Sequence, residues 1–212
     1  ILAARSTCTA AAVFTQNRFC GAPIVVGREH IRPGKLRAIV VNSGCSNVAT
    51  GQRGIRDART MCAQVAAAIG AAATDVLPSS TGVIGEFLPM DKIRNGIKAA
   101  IDSLSDSKEA GTLFATAIMT TDIKRKQAIE RVRIGRTKVT IAGCCKGSGM
   151  IAPNMATMLA YLTTDAGIPP ILLRKMLKDA VVPTFNRVTV DECQSTSDTV
   201  AIMASGLAAR ID

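Results

Sequence analysis

Apolar positions along this chain switch repeatedly between the spacing of a strand and that of a helix. Ala38–Val41 is a short apolar run followed by Asn42, Ser43 and Gly44, which predicts a buried strand ended by a turn. Ile55, Ala58, Met61, Cys62, Val65, Ala66 and Ile69 then recur at helical spacing, with Arg56, Asp57 and Arg59 off that stripe and Gly70 as the stop signal. Asp75–Leu77 predicts a strand running into a turn at Ser79-Ser80-Thr81-Gly82, and Ile93, Ile97, Ala100, Ile101 and Leu104 predict a second helix. Val132–Ile134 and Val139–Ile141 flank Gly135-Arg136 as a hairpin, and Pro169-Pro170 opens a helix on Leu173, Met176, Leu177, Ala180 and Val181. A strand at Val188–Val190 and a helix over Ser197–Ala209 complete the reading. Such mixing predicts α/β or α+β layers.

Composition narrows this picture. The 212 residues suffice for one large domain or two small ones, and 48% hydrophobic with 20% charged residues describes an ordinary globular chain. Aromatics make up only 3%, with no Trp and Tyr161 as the one tyrosine, so Ala, Val, Ile, Leu and Met must build the core. No apolar run reaches the roughly 18 residues of a membrane span, and charged and polar residues break up any signal peptide at the start. A cytoplasmic protein is expected. The chain opens on Ile1 without an initiator Met and reads as a piece of something longer.

The net charge of +10 raises the question of nucleic acid. The densest basic run is Lys124, Arg125, Lys126, Arg131, Arg133, Arg136 and Lys138, and no aromatic interleaves it for base stacking. A solvated basic face is the plainer reading, compatible with small acidic substrates. Cysteines 8, 20, 45, 62, 144, 145 and 193 form no CxxC pair, which predicts reduced thiols and no metal site.

Candidate chemistry is sparse. His30 is the only histidine, and Arg28-Glu29-His30-Ile31-Arg32-Pro33 reads as an exposed turn before a strand. No GxSxG or HExxH motif accompanies it, so an enzyme built from this chain must find its base elsewhere than in an imidazole. The segment from Gly143 to Thr157 stands apart, rich in Gly and small residues with Lys146 as its only charge. Gly147-Ser148-Gly149-Met150-Ile151-Ala152 fits a dinucleotide fingerprint, with Asp165 as the ribose acid. Pro153 inside the required helix, and the short step from Gly149 to Asp165, argue against it. A phosphate loop fails because Lys146 precedes its glycine. A tight turn without function would account for the glycines alone.

The whole stretch Lys146–Ala160 (KGSGMIAPNMATMLA) strongly resembles the autoproteolysis segment of the ornithine acetyltransferase (glutamate N-acetyltransferase) family. Ala12–Arg18 resembles that family's N-terminal signature, and Asn42-Ser43-Gly44 with Thr50-Gly51 its NSGNAN…TG loop. Ser80–Gly85 resembles its STGVIG turn, and Met119–Asp122 its MTTD segment. Asn186–Asp191 with Ser195-Thr196-Ser197-Asp198 is similar to its NRxTVDGDTSTND. The resemblance spans essentially the whole chain.

It implies the family's layered α/β sandwich, two lobes with the active site between them, its C-terminal part lying beyond this chain. It implies self-cleavage between Ala156 and Thr157, so that residues 1–156 are α-chain-like and 157–212 begin the β chain at a strand. Thr157 is then the nucleophile, and its freed α-amine is a base a few ångströms from its own hydroxyl, with a pKa of roughly 7.7–8.0. By the same resemblance Thr81 and Gly82 form the oxyanion hole, and Thr120 and Lys146 hold the amino-acid substrate. The implied reaction moves acetyl from N-acetylornithine to glutamate in arginine biosynthesis, with no cofactor, acetyl-CoA being a further donor in some members. The implied assembly is a heterotetramer of two α and two β chains, with neither nucleic acid nor membrane as partner. Cys45 and Ser46, Ile123, and Glu192-Cys193-Gln194 depart from the family pattern and bear on substrate specificity. A related self-cleaving aminopeptidase is the alternative enzyme, and a basic nucleic-acid-binding module the alternative from another class.

Overall fold

The computed structural model describes residues 1–150 and 158–210, with side chains described through Ala208. Its strands are β1 (Leu2–Phe14), β2 (Lys35–Cys45), β3 (Val76–Val83), β4 (Lys126–Ile134), β5 (Thr137–Lys146), β6 (Leu159–Gly167) and β7 (Thr199–Arg210). Its helices are α1 (Ala22–His30), α2 (Gly51–Ile69), α3 (Met90–Asp102), α4 (Lys108–Ala117) and α5 (Pro170–Val181). The strands form one mixed seven-stranded sheet in the order β3-β2-β1-β7-β6-β5-β4. Only β2–β3 and β6–β7 pair in parallel, and each of these pairs is bridged in sequence by a helix, as parallel pairing requires.

The sheet curls until its two halves face each other. On its inner face Leu36 and Ile39 of β2 and Leu77 of β3 share a core with Cys8 and Ala10 of β1, Leu159 and Tyr161 of β6, and Ala201 and Met203 of β7. A register shift in β1 between Ala3 and Cys8 supplies a local irregularity of the kind that increases strand twist. The outer face carries the long helices. Met61, Cys62, Val65 and Ala66 of α2, with Ile97 of α3, cover Ala38 and Val40 of β2. Leu173, Leu177 and Val181 of α5 cover Ala11, Ala160, Val200 and Ile202. The order is therefore helix, sheet, sheet, helix, and the layered α/β sandwich expected from the sequence is present. Phe114 and Ile118, at the end of α4, join the inner core, with the Phe114 ring edge-on to Tyr161 at 5.7 Å.

Local chemistry explains most boundaries. Gly70 ends α2 in the left-handed region at φ 65, where only glycine is free of a Cβ penalty. Ser107 caps α4 by accepting the Ala110 N–H at 3.1 Å, and Pro170 opens α5 at the position where its missing N–H costs nothing. The β4–β5 hairpin turns at Gly135, and β4 is exposed along its whole length. Its arginines form the solvated basic face.

Four expectations need correction. The segment read as a helix from Ser197 is strand β7, buried over its first half between β1 and β6. A strand covered on both faces is apolar at every position, so periodicity cannot separate it from a buried helix. Val188–Val190 is not a strand; Val188 and Val190 lie exposed in an irregular stretch. Neither Asn42-Ser43-Gly44 nor Ser79–Gly82 is a turn: β2 and β3 run on side by side, pairing Asn42 with Ser80, Ser43 with Thr81 and Gly44 with Gly82. His30 is buried rather than exposed, at the end of α1, with Nδ1 2.8 Å from the Val76 carbonyl. Helix α1 buries Ala22, Pro23, Ile24, Val26, Gly27 and His30, leaving no one-sided stripe to betray it. The dinucleotide fingerprint already argued against is excluded by the antiparallel pairing of β5 and β6; Asp165 accepts the Thr140 N–H at 2.8 Å.

Leu173 is 2% exposed under the outer face of the sheet. Leu173→Ala should lower unfolding free energy by about 2–5 kcal/mol, with an unchanged urea m-value. Equilibrium urea denaturation measures both.

Candidate active site

The curl carries the end of β3 over the end of β5. Thr81 and Lys146 therefore meet, although several strands separate them in the sheet. Both are buried, at 4% and 2% exposure, and the Lys146 Nζ donates to Thr81 Oγ1. An ammonium can only donate, so the threonine oxygen is the acceptor and its own proton is left to point elsewhere. Among the described residues Thr81 is the only hydrogen-bond partner of Lys146.

Gly82 follows at φ 129, and a Cβ there would lie 2.2 Å from the Gly44 carbonyl carbon. No other residue fits so close to the β2 backbone. The contact is stiffened beside it, where Ser80 Oγ donates to Asn42 Oδ1 at 2.5 Å and Asn42 Nδ2 to the Cys45 carbonyl at 2.8 Å. Ser46, at one of the departures from the family pattern, donates through both its N–H and its hydroxyl to the Val83 carbonyl, at 2.9 and 2.7 Å.

Thr120 lies exposed on the loop after α4. Its backbone N–H helps to hold the Asp122 carboxylate, whose Oδ1 accepts the Gly147 N–H at 2.7 Å and Lys126 Nζ at 2.5 Å. Thr121 Oγ1 and Ser148 Oγ are 3.0 Å apart. The loop thus runs alongside the residues that follow Lys146. Ala156 and Thr157 lie outside the described residues. Their neighbour Met158 is described and gives its N–H to Asp198 Oδ1 at 2.9 Å.

Asp198 and Asp122 are residues whose individual roles sequence reasoning missed. Both sit in stretches that resemble family motifs, which was the only signal available. Asp198 is fully buried, and a hydrogen bond from the Thr15 N–H to its carbonyl at 3.0 Å fixes its backbone against the end of β1. Burial pushes its carboxyl up to about 7, against the pull of the Met158 N–H, Ser195 and Lys146. Burial likewise lowers Lys146, while Asp122 and Asp198 act to raise it. For Asp122 burial acts upward, but the hydrogen bonds from Lys126 and Gly147 outweigh it and hold the carboxyl below its ordinary value. A buried cation is thus acted on by two carboxyl groups with opposite tendencies. Two open clefts, of 430 Å³ beside Cys8 and Asp165 and 540 Å³ between α2 and α3, lie away from this cluster and hold no comparable set of groups.

The ArgJ family profile matches residues 1–212. This chain belongs to the ArgJ family. It is 52% identical over 196 residues to the arginine biosynthesis bifunctional protein ArgJ of Methylococcus capsulatus, covering 92% of this chain and 47% of that protein. Among solved structures, the ArgJ of Bacillus halodurans matches with a TM-score of 0.68 and 43% identity, over 73% of this chain and 80% of the other. The ornithine acetyltransferase of Mycobacterium tuberculosis, solved with ornithine, matches with a TM-score of 0.60 and 31% identity, over 75% of this chain and 79% of the other. The chain spans about half the length of the curated ArgJ relatives it matches. Among its described residues no helix is long and apolar enough to cross a membrane.

The raised Asp198 carboxyl sets a pH dependence with a definite sign. Its contribution to stability is fully present below its ordinary value of 3.8 and is lost as pH rises through about 7, because the folded chain resists ionising it. Thermal melting of the wild type should therefore fall relative to Asp198→Asn as pH rises from 4 to 8. Parallel melting curves across that range would refute the assignment.

Proposed function

We propose that the complete protein carrying this chain is a self-cleaving acetyltransferase of arginine biosynthesis, exchanging acetyl between N-acetylornithine and glutamate. The observation that carries the reading is the Lys146–Thr81 hydrogen bond, buried beside the strand that follows Thr157. The bifunctional name of the Methylococcus relative and the ornithine complex of the Mycobacterium relative support the substrate class.

In this reading the chain divides at Ala156–Thr157, residues 1–156 forming the α part and 157–212 beginning the β part. Thr157 is freed as an N-terminal nucleophile, and its α-amine takes the hydroxyl proton. The hydroxyl oxygen attacks the acetyl carbon of N-acetylornithine, and the tetrahedral oxyanion is met by the Thr81 hydroxyl and the Gly82 N–H. The Thr81 proton is free for this because Lys146 occupies the oxygen as a donor. Collapse breaks the C–N bond, the departing amine takes up the proton, and acetyl remains as a Thr157 ester. The amine of glutamate then attacks that ester and releases Thr157. Thr120 and Lys146 hold the amino-acid substrate, with Lys146 as the cation for its carboxylate. Acetyl-CoA is a second acetyl donor in the same site, and the working assembly pairs two α with two β chains.

Full-length Thr157→Ala should remain a single uncut chain and transfer no acetyl, by intact mass and amino-acid analysis. Retained transfer by this variant would defeat the mechanism, and peptide hydrolysis without transfer by the wild type would favour the aminopeptidase alternative. Thr81→Ala should lower kcat by ~10²-fold or more with little change in KM, because an oxyanion donor acts in the transition state. A change confined to KM would reassign Thr81 to substrate binding.

A further inference from the structure

The stretch on either side of the proposed scissile bond is tied at three backbone N–H groups by three carboxylates from separate places. Asp122 Oδ1, from the loop between α4 and β4, accepts Gly147 N–H at 2.7 Å. Asp191 Oδ2, from the irregular stretch before β7, accepts Met150 N–H at 2.5 Å. Asp198 Oδ1, at the start of β7, accepts Met158 N–H at 2.9 Å. Hydrogen bonds from backbone N–H to an ionised carboxylate are among the shorter and stronger ones a chain can make. Met150 is also held at φ 56, a left-handed conformation that a residue with a long side chain avoids unless its surroundings impose it.

Asp191 has no part in the acetyl exchange proposed above, and Asp122 and Asp198 reach it only through Lys146, so the three tethers ask for a common task of another kind. We propose that Asp122, Asp191 and Asp198 are positioning residues for self-cleavage, a clamp that fixes both ends of the segment containing Ala156–Thr157. The inference rests on the self-cleaving reading given above. Its physical basis is the geometry of the reaction. The Thr157 hydroxyl must attack the carbonyl carbon of its own preceding residue, so that the C–N bond is replaced by a C–O ester, which water then hydrolyses. A free chain seldom samples that approach, and misplacement of about 1 Å costs an attack of this kind ~10²-fold. Gly147 and Met150 on one side and Met158 on the other are the points between which the proposed scissile bond lies, and each is held by a carboxylate.

The test uses the full-length protein, with cleavage before Thr157 followed by intact mass after synthesis. Asp122→Asn, Asp191→Asn and Asp198→Asn keep side-chain shape while removing the charge, and each should slow cleavage ~10- to 100-fold. Melting is read on the same samples, and the slowing should appear in variants that melt no lower than the wild type, which a purely structural role would not produce. For Asp191→Asn, which the proposed reaction gives no part in acetyl transfer, molecules already cut should transfer acetyl at the wild-type rate. If one variant fails to fold, the other two carry the test. Cleavage at the wild-type rate in the folded variants overturns the clamp. A wild type that stays uncut, or is cut elsewhere, overturns instead the reading on which the clamp rests, and the two failures are distinguishable on one gel.

Discussion

Everything at the candidate site depends on the closure of one sheet upon itself. Thr81 and Lys146 stand on strands far apart in sheet order, and only the inner core between the two halves holds them together. That core mixes small residues with Leu, Ile and Met. Cys8, Ala10 and Ala201 let the facing backbones approach, and Tyr161 fills the remaining depth with Phe114 against its edge. A chain poor in aromatics can close such a sandwich because inner and outer faces are packed separately, the inner by strands and the outer by helices.

Burying Lys146 at the mouth of this sandwich is costly unless its charge is answered. Asp122 and Asp198 both act on it, and each also accepts a backbone N–H from the chain between β5 and β6. Charge compensation and segment placement are therefore properties of the same carboxylates. The Tyr161 phenol illustrates the same economy of polar groups inside the sandwich. Burial pushes it far above its ordinary value, moderated by the nearby Ser79 hydroxyl, although neither oxygen forms a hydrogen bond of normal geometry.

How much of this was legible varied element by element. α2, α3, α5 and the β4–β5 hairpin follow directly from periodicity and from Gly70, Gly135 and the Pro169-Pro170 pair. Each has one buried face and one solvated face, or a turn residue whose backbone demands are local. The failures share the opposite property. β7 and α1 are buried on more than one side, so their apolar residues show no period. Asn42–Gly44 and Ser79–Gly82 carry turn-forming residues, yet each lies in a strand because the other is beside it, and the Ser80–Asn42 bond and the Gly44–Gly82 approach are tertiary contacts.

The sequence by itself carried the family resemblance and, through it, the candidates Thr81, Gly82, Lys146 and Thr157, since motifs reside in residue types at fixed spacings. Only the tertiary structure decided that Lys146 donates to Thr81, that His30 is a buried residue held against Val76, and that Asp122 and Asp198 act on the cation. These facts depend on the curl of the sheet. Curl comes from accumulated strand twist and a register shift in β1, and no short stretch of sequence records either.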